Sequence, residues 1–221
     1  MEINGINVII QRKNIKNMYL RVIPPEGSVK ISAPYFVSDE QIIDFINTKM
    51  DWILEKQTQI ANKNYVPALK YVNGEKHLLW GEEYSLQLIA NNIKTAFVKE
   101  NTIYLPVSKR SKMKNRQKTL ENFYRTELQR EIDNIYDKCT DIVGKKPREI
   151  KIRKMKNWGN CKQNKVITLN LNLAKKPKIC LEYVLIHELC HLIEFNHSKK
   201  FKMLMDKNCP NWQKIKKILN E

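Results

Sequence analysis

A short run of residues, His187-Glu188-Leu189-Cys190-His191, has the types and spacing of a metal-binding motif. The surrounding segment from Ile179 to Ile193 is apolar almost all round and contains neither Gly nor Pro, which predicts a buried helix. Residues four apart share one face of a helix, so the two imidazoles would point the same way. They could then bind one Zn²⁺, and Glu188 could act as general base toward a water molecule.

The third metal ligand is predicted to be His197. The chain has only 4 His, and three of them lie between residues 187 and 197. We expect the helix to continue through Glu194-Phe195-Asn196 and Ser198 to cap the next helix, which leaves His197 at a hinge from which it can turn back. Glu194, three residues after His191, is the alternative ligand. We favour His197, because three protein ligands plus water is the catalytic arrangement of zinc and a helical Glu at this spacing more naturally orients a ligand.

The cysteines give no second metal motif. Cys190 lies inside the run of histidines but is rotated away from their face, so we expect a small buried hydrophobic residue. The chain has 5 Cys, with no C-x-x-C pair, and its first residues do not form a secretory signal. These features favour reduced thiols and a cytoplasmic protein. No apolar stretch reaches membrane-spanning length without a charge, so we expect no membrane segment.

Both strands and helices are predicted around this motif, and we therefore predict an α+β fold. Short strands are predicted at 7–13, 18–23, 29–33, 76–80, 84–89, 94–99, 102–107, 149–154 and 166–170. A capping box at Ser38 to Gln41 begins an amphipathic helix that should reach about Ala61, and a long helical pattern ends near Gly144. The boundary is predicted near residue 109, between a β-rich N-terminal domain (1–108) and a catalytic domain (109–221) that contains a small sheet and the metal helix.

The formal net charge of +17 would suit a nucleic-acid partner. However, most of the basic residues are Lys, and they are spread through both halves of the chain. We therefore expect nucleic-acid binding only as an accessory property. The oligomeric state is not predicted by any feature of the sequence.

Several motifs of the chain together resemble the YgjP-like metallopeptidase family, a zincin group distantly related to SprT-like proteases. The catalytic half carries Trp158-Gly159-Asn160-Cys161, Ile167-Thr168-Leu169-Asn170, Tyr183-Val184-Leu185-Ile186 before the histidine motif, and Asn196-His197-Ser198-Lys199-Lys200-Phe201 after it. The front half is similar to the family at Ile31-Ser32-Ala33-Pro34 and Asp51-Trp52-Ile53. Asn160 departs from the family pattern, in which Ser commonly precedes the Cys.

This resemblance implies a zinc metallopeptidase that hydrolyses peptide bonds in peptide or protein substrates. It implies that His187, His191 and His197 are the zinc ligands and that Glu188 is the catalytic acid/base. The alternative is an SprT-like, DNA-associated protease that acts on nucleic-acid-bound proteins.

Amide hydrolysis also needs a donor to the tetrahedral oxyanion. Asn160, Tyr183 and His77 are the candidates, although Tyr183 and His77 are more typical of core or structural residues. Gly159 either allows a substrate backbone to approach closely or forms a turn beside a core Trp158, and the sequence leaves both interpretations open.

Overall fold

The computed structural model describes residues 2–3, 5–62, 69–90, 93–108 and 110–220. The chain divides into two compact units, Met1–Ala68 and Leu69–Glu221, whose residues contact mainly others of the same unit. Each unit has a hydrophobic core of its own. The predicted boundary near residue 109 falls inside the second unit, because Leu79, Leu86 and Ile103 belong to the same core as the helices that follow residue 109.

The first unit is a small sheet with two helices. Its elements are strands β1 (Glu2–Ile3), β2 (Ile6–Lys13), β3 (Tyr19–Ile23) and β4 (Ser28–Pro34), then helices α1 (Asp39–Asn47) and α2 (Met50–Ala61). The strand order is β1-β2-β4-β3, with β2 and β4 parallel and the other pairs antiparallel. Alternate residues of β4, among them Val29 and Ile31, are fully buried and share a core with Ile42, Ile46 and Ile53 of the helices.

The capping box that begins α1 is confirmed. The Ser38 hydroxyl oxygen accepts a hydrogen bond from the Gln41 backbone N–H at 3.2 Å, and the Gln41 side-chain oxygen accepts one from the Ser38 N–H at 2.9 Å. The prediction of one helix to Ala61 is wrong, because α1 ends at Asn47 and α2 begins at Met50. At the break, the Thr48 hydroxyl donates to the Phe45 carbonyl at 2.9 Å, in the way that Thr and Asn side chains compete with helical hydrogen bonds.

The second unit contains two further sheets and the remaining helices. In chain order, its elements are β5 (Lys76–Leu79), β6 (Glu82–Ile89), β7 (Phe97–Lys99), β8 (Thr102–Pro106), α3 (Met113–Val143), β9 (Glu149–Arg153), β10 (Gly159–Cys161), β11 (Val166–Asn170), a 3₁₀ helix (Leu171–Lys175), α4 (Lys178–Cys190), α5 (Lys199–Asn208) and α6 (Trp212–Asn220). One sheet has the order β5-β6-β8-β7, and the other has the order β10-β11-β9. The predicted strands are all present within a few residues, whereas β1, β10 and α6 were not predicted.

Helix α4 lies at the centre of the second unit. It contacts α3, α5, α6 and the sheet that contains β10 and β11. Apolar side chains cover almost its whole circumference, and most of them are buried, as a helix enclosed on all sides requires. The predicted α+β class is confirmed. Among the described residues, no helix is both long enough and apolar enough to cross a membrane.

Gly144 ends the long helix α3 in the left-handed conformation, with φ of +72°, and its N–H donates to the Thr140 carbonyl at 2.8 Å. Apart from Gly144 and its two chain neighbours, no residue has an atom within 4 Å of the position that a Cβ would take, so a substitution there meets only conformational strain. We expect Gly144→Ala to lower the free energy of unfolding by about 1 kcal/mol in urea denaturation. Gly144→Asn should cost less, because Asn tolerates this conformation, and equal costs for the two variants would contradict the explanation.

Candidate active site

Helix α4 places His187 and His191 one turn apart. The helix ends at Cys190, and His191 is its C-cap, with its N–H donating to the His187 carbonyl at 3.3 Å. The prediction that the helix continues through Asn196 is wrong. The chain instead tightens into i→i+3 hydrogen bonds, from the Leu192 N–H to the Leu189 carbonyl and from the Ile193 N–H to the Cys190 carbonyl, both at 3.0 Å. The helix thus ends early without separating the two histidines.

The chain turns back after this helix and brings His197 to the other two histidines. Ser198 caps α5 as predicted, because its hydroxyl accepts a hydrogen bond from the Phe201 N–H at 3.3 Å. Nε2 of His197 lies 3.0 Å from Nε2 of His187. One ring nitrogen from each of His187, His191 and His197 lies within 4.8 Å of the others. The structure therefore gathers the three residues that the sequence singled out.

The ring of Phe201 supports all three imidazoles. Its centroid lies 4.9 Å from that of His187, 4.4 Å from that of His191 and 4.8 Å from that of His197. The residue is only 3% exposed. The sequence motif that ends at Phe201 gave no sign that this residue packs against the histidines. Close packing of this kind restricts the rotation of the imidazoles.

Glu194 contributes its backbone to the site. Its carbonyl accepts a hydrogen bond from Nδ1 of His191 at 3.1 Å, which fixes the ring and leaves Nε2 free for a metal. Its carboxylate lies 4.0 Å from Nζ of Lys200 and is not part of the histidine cluster. The geometry therefore favours His197 over Glu194 as the third ligand.

Glu188 is buried beside the histidines, with 4% of its surface exposed. Burial raises the pKa of its carboxyl group to about 8. Burial, together with the neighbouring His191 and His197, lowers the pKa of His187 to about 3, so this imidazole is neutral. In the described part of the chain, Glu188 Oε2 and His187 Nδ1 are the buried side-chain polar atoms without a hydrogen-bond partner. Unsatisfied groups of this kind are uncommon in a folded protein and point to a functional site.

Gly159 leaves the space that Glu188 occupies. A Cβ atom at Gly159 would lie 2.8 Å from Cγ and 2.9 Å from Cδ of Glu188, which is closer than non-bonded carbon atoms approach. Gly159 belongs to strand β10, where it pairs with Leu169, and not to a turn. The close approach that this glycine allows is therefore to the carboxylate of the protein itself, which neither interpretation of the sequence included.

The histidines and Glu188 line a cleft of about 400 Å³. Part of its lining comes from β10 and the residue before it, Trp158, and another part comes from α6, through Lys216, Leu219 and Asn220. The indole N–H of Trp158 donates to Oδ1 of Asn220 at 3.2 Å, which joins these two parts. The role of α6 was missed, although Trp212, Ile215 and Leu219 have the spacing of a buried helical face.

The other residues singled out from the sequence divide into two groups. Asn160 and Tyr183 line the cleft, and the ring of Tyr183 meets that of His187 edge-on at 5.9 Å. His77 lies elsewhere and pairs with Glu75, so it is not a candidate for the oxyanion donor. Cys190 is fully buried, as predicted.

Comparison with known proteins identifies the family of this chain. The family model of the YgjP-like metallopeptidase domain matches residues 16–221. The chain belongs to the YgjP-like metallopeptidase family. It is therefore a metallopeptidase, and the family implies a divalent metal. The resemblance to this family that the sequence motifs indicated is confirmed.

Two further comparisons add less. A search of the curated proteins finds no match to this chain. Among solved structures, the chain is similar to the metallopeptidase zymogen abylysin of Pyrococcus abyssi, at 24% identity over 40% of this chain and 90% of that one, with a TM-score of 0.37.

The contact between Gly159 and Glu188 predicts a coupling between the two positions. We expect Gly159→Ala to destabilise the protein by about 1–3 kcal/mol in urea denaturation, since the added methyl group overpacks the carboxylate. The same substitution in a Glu188→Ala background should cost much less, because the conflicting atoms are then absent. An equal cost in both backgrounds would show that Gly159 is required for a reason unrelated to Glu188.

Proposed function

We propose that this metallopeptidase uses zinc, held by His187, His191 and His197. The donor set supports this proposal, because three protein ligands such as histidines, completed by a water molecule, are typical of catalytic zinc. The three residues fit one small cation, because their ring nitrogens lie within 4.8 Å of one another and Nε2 of His187 lies 3.0 Å from Nε2 of His197.

Glu188 is proposed as the general base. A bound divalent metal would supply Lewis acidity, polarising the scissile carbonyl and lowering the pKa of a water molecule. Glu188 would accept the proton of the attacking water and deliver it to the leaving amine. Its unpartnered Oε2 is free to receive a hydrogen bond from that water. Its pKa, which burial raises, would fall again beside a dication, so that the carboxylate could act as a base.

The observation that carries the proposal is this pairing of a buried carboxylate with three converging imidazoles. A purely structural metal site needs no carboxylate with a free oxygen next to its ligands. Gly159 of β10 moreover leaves the space that the Glu188 carboxylate occupies, since a Cβ there would clash with it. The cleft in front of these residues gives a substrate access to them.

We propose that the substrate is a peptide segment in an extended conformation. Strand β10 stands at the end of the order β10-β11-β9, so one of its edges is not paired within this sheet. Its residues also line the cleft. An extended peptide could add to that edge through main-chain hydrogen bonds, which would bring a scissile bond in front of Glu188. Asn160 and Tyr183 would then be the side chains placed to donate to the oxyanion.

The location and the accessory partner of the protein remain predictions. The five cysteines are free and buried, which supports a reducing compartment such as the cytoplasm. The net charge of +17 is the observation that favours the SprT-like alternative, a protease acting on nucleic-acid-bound proteins. We keep nucleic acid as an accessory partner, because the charge by itself does not identify one.

The ligand assignment can be tested by metal analysis. Purified protein should contain about one zinc per chain, and His187→Ala should lose nearly all of it, because two imidazoles are a poor site. His197→Ala should behave in the same way, whereas Glu194→Ala should keep the metal. His77→Gln is the matched control, since it alters the one histidine outside the cluster. Full zinc content in His197→Ala combined with loss in Glu194→Ala would reverse the assignment of the third ligand.

The role of Glu188 can be tested by Glu188→Gln. The amide has nearly the same shape but cannot accept a proton, so we expect kcat to fall by about 10²–10⁴ while the zinc content is unchanged. The measurement is cleavage of an unfolded protein and a peptide library by zinc-loaded enzyme. Glu182→Gln is a suitable control, because Glu182 lies on the same helix but pairs with Lys138 at 2.6 Å, away from the cleft.

The same assay distinguishes the alternatives. Equal activity of zinc-loaded Glu188→Gln and unmodified protein would end the proposal that Glu188 is the base. Addition of single-stranded DNA should leave the rate unchanged for a plain peptidase. A rate that rises with DNA, and loses this response at high salt, would favour the DNA-associated protease.

A further inference from the structure

His77, the one histidine outside the metal cluster, is held by a hydrogen-bond network of its own. It is 4% exposed and lies on β5. Its Nε2 is 2.8 Å from Oε2 of Glu75. The Glu75 carboxylate also accepts hydrogen bonds from the backbone N–H groups of Lys70, at 2.6 Å, and Tyr71, at 2.7 Å. Glu75 is thus fixed by the backbone, and it fixes the orientation of the imidazole in turn.

His77 borders a partly enclosed cavity of about 170 Å³ within the second unit. The cavity is lined by two aromatic residues, Tyr71 and Tyr124, and the ring of Tyr71 lies 5.6 Å from that of His77. Tyr71 has a φ of +55°, a left-handed conformation that a residue other than glycine adopts only at a cost. Strain of this kind is concentrated at functional sites. The catalytic cleft shares none of these residues.

Among the residues that the structure describes, a lysine in this cavity has no ion pair of its own, because the Glu121 carboxylate, which also lines the cavity and acts on this lysine electrostatically, is paired with Lys154. Nζ of Lys175 lies 5.4 Å from the centre of the Tyr124 ring. Within the part of the chain that the structure describes, this ammonium group has no hydrogen bond and no ion pair. Lys154, the other cation of the cavity, already pairs with Glu121. The ammonium is half-buried, and burial lowers its pKa, so a carboxylate arriving in the cavity would relieve its desolvation.

The imidazole of His77 would bind a hydrogen-bond donor rather than an anion. Burial lowers the pKa of His77, so the ring is neutral. Its Nε2–H donates to the Glu75 carboxylate, which leaves Nδ1 as an acceptor. Among the described residues, no donor reaches Nδ1. A molecule that fits the cavity should therefore offer a donor to His77 as well as a negative charge to Lys175.

We propose that the cavity binds a small carboxylic acid with a neighbouring hydroxyl or amino group. Its carboxylate would pair with Lys175, its donor would meet Nδ1 of His77, and its carbon skeleton would lie between Tyr71 and Tyr124. One unpaired cation suits a single carboxylate better than a phosphate, which carries more charge. The volume admits a molecule the size of a hydroxy acid or an amino acid. This site is independent of the peptidase proposal, because it shares no residue with the metal cluster or Glu188.

The test uses the whole chain labelled with ¹⁵N at histidine, with acetate, glycolate and glycine as probes. With 4 His in the sequence, the ring signals of His77 can be assigned by their loss in His77→Gln. Glycolate or glycine should shift the Nδ1 signal of His77 saturably, and acetate should bind at least about fivefold more weakly, since it has no donor. A response to glycolate identifies a hydroxy acid, and a stronger one to glycine identifies an amino acid.

Two results would overturn the proposal. One is the absence of a saturable shift with all three probes, which would mean that water alone fills the cavity. The other is equal binding of acetate and glycolate, which would remove His77 from the site.

A lysine variant tests the second contact. Lys175→Met should weaken binding of the best probe by at least about tenfold, whereas Lys207→Met, a change on the exposed side of α5, should leave it unchanged. The His77 signals of the probe-free Lys175→Met protein show whether the cavity is intact. An intact cavity that binds the probe as before would exclude Lys175 as the anion partner.

Discussion

Helix α4 carries two imidazoles and a carboxylate into the largely apolar interior of the second unit, and this unit is arranged around that placement. Burying an ionisable group has a large free-energy cost unless the group is neutral or paired. Glu188 meets this constraint with a raised pKa and His187 with a lowered one. The same burial prevents the side chains from moving, because α3, α5, α6 and a sheet surround the helix. A preorganised site is thus obtained at the expense of unsatisfied polar atoms.

The neighbours of these three side chains are small or aromatic for physical reasons. Gly159 has no side chain, so β10 can approach Glu188 directly. Phe201 packs a flat, buried ring against all three imidazoles. The Glu194 carbonyl selects the tautomer of His191. Each contact restrains a different degree of freedom: the position of the carboxylate, the tilt of the rings and the placement of one proton.

The second unit contains polar cavities of two different kinds. In the catalytic cleft, three imidazoles form a donor set for a cation, and a carboxylate lies beside them. In the cavity beside His77, an unpaired Lys175 and a neutral ring form a set that suits an anion with a donor. The two sets differ because of what lies next to each histidine. His77 is locked by the carboxylate of Glu75, whereas the other imidazoles face one another and leave their nitrogens to a shared ligand.

The sequence by itself determined the candidate site and most of the secondary structure. A spacing of four residues on a helix places His187 and His191 together whatever the rest of the fold does, and alternating or capped segments located the strands and α1. Tertiary structure decided where α4 ends, that β10 lies against Glu188, that Phe201 lies beneath the histidines, and that the boundary between units comes at residue 68. These features depend on contacts between residues far apart in the chain. Local propensity has no access to such contacts, because they are set by which surfaces must be buried together.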